Sequence, residues 1–205
     1  IAWHAALAAL ERGDADHALA LYAAHVQPAV SAAMPVNVVS DAASFLWRMQ
    51  AYGHDVPAAS WEAAASYAAR AFPTAGFAFV DVHMAILEAA AGDRDAVGRR
   101  VATLTRLVDD ASLSAGPVVP AICRAALAFA DGDYAACARV LEPVAADIVR
   151  IGGSGAQREM LEDMLLLALM RGGETAKARA LLDRRLHRRP SHRDTGWRDL
   201  LPTGE

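Results

Sequence analysis

Five polar side chains recur at one position along this chain. His4, Ser44, His83, Cys123 and Asp163 each stand nine residues before a glycine, namely Gly13, Gly53, Gly92, Gly132 and Gly172. The residues one place earlier, Trp3, Ala43, Val82, Ile122 and Glu162, form a mainly apolar stripe. Imidazole, thiol, hydroxyl and carboxylate groups are the raw material of acid–base and ligand chemistry. A column that is polar in every segment could face a ligand or partner. The same groups could equally hydrogen-bond between neighbouring helices, as buried polar groups must. Metal binding is not expected. His4 and His83 sit two segments apart, too far to share an ion when helices pack about 10 Å apart. Asp81 and His83 project about 200° apart on a helix, and His4 and Glu11 share a face but lie two turns apart. No Gly-x-Ser-x-Gly elbow is present, and no catalytic residue or cofactor is assigned.

Two further groups carry polar chemistry. In Gly152-Gly153-Ser154-Gly155-Ala156-Gln157-Arg158, the Ser-x-x-Gln spacing predicts a capping box at a helix start. The free N–H groups there, with Arg158, could also hold a carboxylate or phosphate. The block is not a phosphate-binding Walker loop, because the lysine and its spacing are missing. Arg184, Arg185, Arg188 and Arg189 share one broad helical face. Cations near a helix C-terminus favour its dipole, and no interleaved aromatics support base stacking. A solvated face is therefore expected and a nucleic-acid partner is not. Trp47, Trp61 and Tyr67 are expected to pack between helices.

These residues need a scaffold, and composition limits what it can be. Apolar residues make up 55% of the 205, but aromatics only 6%, and alanine dominates. Alanine is the best helix former, so an all-α protein is expected. Nineteen of the 20 basic residues are arginine. Residues 176–205 carry net +4 and the remainder net −8. No run of about 18 uncharged apolar residues marks a membrane span, and no secretory signal is visible.

The clearest local unit is Ile122 to Ile148, two helices around Asp131-Gly132-Asp133. Ile122, Ala126 and Phe129 share one face. Gly132 suits a left-handed helix end and Asp133 a helix N-cap. Pro143 interrupts the second helix. Cys123 and Cys137 should lie apart in such a hairpin, predicting two free thiols and a reducing compartment. The five glycines are spaced 40, 39, 40 and 40 residues apart, the signature of a repeat array. Asp41 reads as the N-cap of the second segment's first helix. The expected architecture is an α-α superhelix of about five hairpins over residues 1–190, one domain, with a polar tail at 191–205 anchored by Trp197.

Gly132-Asp133-Tyr134, followed by small and apolar positions, resembles the tetratricopeptide repeat, as do Gly13-Asp14 with Ala18-Leu19 and Tyr22, and Gly173-Glu174 with Ala178. The chain is similar over nearly its whole length to the tetratricopeptide repeat protein 38 family. That similarity rests on Trp3-His4, Ala6-Leu7, Glu11, Gly13 and Ala18 to Tyr22. Asp41-Ala42 with Ser44 and Leu46-Trp47-Arg48, and Asp81 with His83, extend it. Ile151-Gly152-Gly153-Ser154 with Ala156-Gln157-Arg158 is its most distinctive block, before Ala178 to Leu182 and Arg189-Pro190. Gly155 stands where that family has histidine, and Ala23 where it has aspartate. The resemblance implies further helical repeats before Ile1. It also implies a fold more than an activity.

The expected function is a cytoplasmic, bacterial-type binding or scaffold module whose concave face holds a protein partner, more a binder than an enzyme. The competing expectation is an enzyme or small-molecule binder with a polar site in the groove, and self-association is a third. The candidate contacts are His4, Ser44, Arg48, His83, Gln157 and Arg158.

Overall fold

A computed structural model describes residues 1–202. They form eleven α-helices, with no strand among the described residues. The first pair is α1 (Ala2–Glu11) and α2 (Ala15–Leu21), the latter extended by a π turn (Tyr22–Val26). Next come α3 (Pro35–Ala51) with α4 (Ala58–Ala71), and α5 (Ala78–Ala90) with α6 (Arg94–Asp109). Then follow α7 (Val118–Ala130) and α8 (Tyr134–Leu141), which continues as 3₁₀ turns (Glu142–Ile151). The last are α9 (Gly155–Arg171), α10 (Thr175–Arg188) and α11 (His192–Leu200).

Local chemistry accounts for the pairs. At Gly132 (φ +75°) the chain turns left-handed, and the Asp133 N–H closes back on the Ala128 carbonyl at 2.9 Å. The Asp133 carboxylate then caps α8 by accepting from the Ala136 N–H. The same closure occurs at Gly13, Gly53 and Gly92. In the fifth pair it falls one residue later than the glycine spacing suggests. Gly172 stays right-handed, Gly173 (φ +79°) makes the turn, and the Glu174 N–H reaches Leu169 O at 2.9 Å. Counting from the closing glycine therefore puts Met164 opposite His4, and Asp163 in the neighbouring row.

Two other expectations change, and the interruption expected at Pro143 is present. Asp41 lies inside α3, because Pro35 starts that helix at the position where its fixed φ and missing N–H cost nothing. Pro143 ends regular α geometry after Leu141, and the chain continues in tighter turns. The polar stretch after Pro190 forms α11, capped by Ser191 accepting from the Asp194 N–H and packed on α10.

Each pair packs on itself, and the first helices pack side by side in the order α1, α3, α5, α7, α9. α9 also meets α3, so α3, α5, α7 and α9 form a closed ring. One apolar cluster joins these helices: Val82, Ile122, Met160 and Leu166 are all fully buried in it. Tyr22 stacks on Phe45 with ring centroids 4.9 Å apart on the α1–α3 side. Cys123 and Cys137 are buried, unbridged thiols, and burial pushes both pKa values up, Cys137 to about 12.

Candidate functional site

The seam where α3 meets α9 holds the densest polar group. Asp163 on α9 is fully buried. Its Oδ1 accepts from Arg185 at 2.7 Å, and its Oδ2 accepts from the Tyr52 hydroxyl at 2.6 Å. Arg48 and Arg193 approach it at 3.6 Å each. Burial pushes the Asp163 carboxyl up, but Arg193, Arg185 and Arg48 outweigh it and hold its pKa at about 2. Asp194 supplies the second buried carboxylate, accepting from Arg185 Nε at 2.8 Å. Arg193 reaches Glu11 at 2.8 Å and covers the faces of Tyr52 and Trp197. Three guanidinium groups thus share two buried carboxylates, with Glu11 and Glu159 at the edge. Arg185 was expected on a solvated face and is 2% exposed. It is covered because α11 folds over it and brings Asp194 to it. Arg188 and Arg189 stay exposed and pair with Glu162 and Glu159.

The other expected contacts are dispersed around this seam. Arg48 also donates to Ala156 O at 2.7 Å, tying α3 to the start of α9. Ser44 is buried and bonds within its own helix, to Asp41 O. Gln157 completes the capping box with Ser154 and reaches Ser40 on α3 at 3.4 Å. Arg158 donates to the Gly152 and Gly153 carbonyls. His4 is exposed and shares the wall of a cavity of about 190 Å³ with Arg48 and Glu11. Arg158 lines a separate depression beside the 3₁₀ turns. His83 is buried against Phe79, whose carbonyl accepts from its Nδ1 at 2.7 Å. Its Nε2 has no hydrogen-bond partner, and burial pushes its pKa down to about 4. The structure therefore joins Arg48 and Gln157 at the seam. His4 faces Arg48 across the same cavity, while His83 and Arg158 bond to the backbone around them. Among the described residues no three His, Cys, Asp or Glu side chains gather as a metal-ligand set.

A second site lies where the C-terminal ends of α3, α5, α7 and α9 converge. It is a cavity of about 310 Å³. Its walls include Trp47, Trp61, Phe129 and Tyr134, and its floor is largely alanine. Trp47 and Phe129 tilt against each other at 5.2 Å, and Phe129 and Tyr134 meet edge to face at 5.4 Å. Arg171, the last residue of α9, lies 5.4 Å from both the Phe129 and Tyr134 ring centroids. It donates to Ala51 O on α3 and to the Tyr134 hydroxyl. Trp47 and Trp61 thus pack between helices as expected and also face open space. The available sequence signal was the alanine at Ala89, Ala90, Ala126 and Ala130 near the ends of two helices that otherwise carry large apolar residues.

No protein-family model and no solved structure matches the chain. Among the described residues, no helix is long and apolar enough to cross a membrane.

Proposed function

We propose that the chain is a helical-repeat binding module of the tetratricopeptide type that holds a small organic ligand at the mouth of its helix ring. Five hairpins on a near-constant period, each closed by a left-handed glycine, support the repeat reading. The inner face, where a protein segment was expected to lie, is filled by the Asp163 seam and by packed apolar side chains. The two unbridged thiols support a cytoplasmic setting. The observation that carries the proposal is the aromatic-walled cavity of about 310 Å³, in the size range of small-ligand pockets. The polar candidates do not converge on one reacting point, so binding is favoured over catalysis.

Titration of the protein with indole, followed by amide and indole N–H NMR shifts, tests this. The expected shifts cluster on Trp47, Trp61, Phe129 and Tyr134. Ala130→Phe, at the exposed rim of the cavity, should abolish them while leaving the rest of the spectrum in place. Shifts scattered over the surface, or an unaffected variant, would sink the proposal.

A further inference from the structure

We infer that the aromatic cavity takes an amphipathic carboxylate, its ring or acyl part among the tryptophans and its carboxylate on Arg171. This rests on the reading of that cavity as the binding site.

The argument begins with charge. Each of the four converging helix ends carries about half a negative charge, so bare backbone here would favour a cation. Arg171 already meets that demand, with its guanidinium over two ring faces and bonded to the Ala51 carbonyl. The faces of Phe129 and Tyr134 are therefore already covered by a positive charge. Arg171 itself is exposed. Its contacts are a carbonyl, a hydroxyl and two rings, and no carboxylate pairs with it among the described residues. A guanidinium has five N–H donors, of which these contacts use two. The remaining donors sit at the rim of an aromatic-walled cavity that Gln50 also lines.

The other arginines of this protein differ in their partners: half-buried Arg158 and Arg179 donate to backbone carbonyls, while two others meet carboxylates. Arg100 lies between Asp81 and Glu88, and Arg185 between Asp163 and Asp194. Arg171 has the fork geometry that matches a carboxylate and lacks the carboxylate. A ligand carboxylate supplies that partner. Its apolar end removes water from Trp47, Trp61 and the alanine floor, and its anion meets Arg171 at the mouth.

Isothermal titration of the full chain with three probes of one shape decides the matter: 3-phenylpropionate, 3-phenylpropanamide and 3-phenylpropylammonium. The carboxylate should bind at least about tenfold more tightly than the amide, as charge-assisted hydrogen bonds require, and the ammonium should bind most weakly. The preference should shrink as salt rises. Arg171→Gln should bring carboxylate and amide to equal affinity, and Arg171→Lys should keep part of the preference. Equal binding of carboxylate and amide by the unaltered protein, or tightest binding of the ammonium, overturns the inference and leaves the cavity as a binding site. Failure of all three to bind at millimolar concentration overturns both. The comparison on the unaltered protein needs no variant to fold.

Discussion

Replacing Asp163 by asparagine should destabilise the fold by about 4 kcal/mol, the middle of the range for breaking a buried ion pair. Asparagine keeps the volume and can still accept from the Tyr52 hydroxyl, so packing is nearly unchanged. What disappears is one of two buried carboxylates shared by Arg48, Arg185 and Arg193. At an effective dielectric constant of ~20, a charge pair at the Arg185 separation of 2.7 Å attracts by about 6 kcal/mol, and each pair at 3.6 Å by about 5 kcal/mol. Recovering the desolvation cost of the carboxylate cancels most of that gross attraction. The arginines, however, remain buried at 2%, 3% and 13% exposure with one fewer partner. A loss of this size is a large part of the ~5–15 kcal/mol that usually holds a domain together, and corresponds to a fall of roughly 8–16 °C in Tm for a chain of this length.

Urea unfolding followed by circular dichroism measures the loss directly, with an unchanged slope confirming that compactness is preserved. The double variant Asp163→Asn/Arg48→Met should be less damaged than the two single losses added together, because each removes the other's reason for burial. The gap between native protein and Asp163→Asn should also close with acid. The folded pKa of about 2 lies below the unfolded value of about 3.9, so this stabilisation is complete above pH ~4 and lost as pH falls toward 2. A penalty under ~1 kcal/mol at neutral pH would refute the reasoning, since that is the scale of exposed ion pairs.

Other variants test the surroundings of the seam. His83 is neutral in the fold, with a pKa of about 4 against about 6.5 unfolded, so acid favours the unfolded chain and stability should fall by about 2 kcal/mol between pH 7 and 4.5. Asp41, which burial raises to about 6, works in the opposite sense over that range. The readout is therefore the difference between native protein and His83→Gln at the two pH values, and a constant difference would contradict the assignment. Gly153→Ala should cost about 2 kcal/mol in urea unfolding, because the backbone is left-handed and the new methyl would collide with the Phe79 ring. Gly155→Ala, with open space around it at the start of α9, should be neutral or mildly stabilising.

Local rules made much of the architecture readable and stopped where the chain met itself. Gly132, Asp133, Ser154 and Gln157 act within a few residues of themselves, so their turns and caps followed from the sequence. The register slip at Gly172-Gly173 was hidden because two adjacent glycines satisfy the same period. Arg185 looked solvated because nothing in its own helix reveals that α11 returns to cover it. Ser191 and Asp194 did offer a signal, being spaced as cap and third helical residue, but the polar composition of that stretch obscured it. The α3–α9 contact had no local mark at all. It depends on how far the earlier pairs rotate before the fifth arrives, which is a sum of packing angles rather than a pattern of residues. The candidate site shared that fate. Arg48 and Gln157 reach across the seam only because the ring closes.

Closure of the ring connects the two sites physically. Tyr52 and Asp163 clasp α3 to α9, and Ala51 and Arg171 clasp the same helices near the same end. The first is a hydrogen bond to a buried carboxylate; the second comes from Arg171, which lines the cavity. A ligand that engages Arg171 and rests on Trp47 touches both helices of the seam, so it must favour the closed ring over any opened form. Linkage then requires the reverse. Whatever weakens the Asp163 clasp lowers the population of the closed ring, and the apparent ligand affinity falls by the same factor. The buried network thus holds together the two helices that carry Trp47 and Arg171 in the cavity wall.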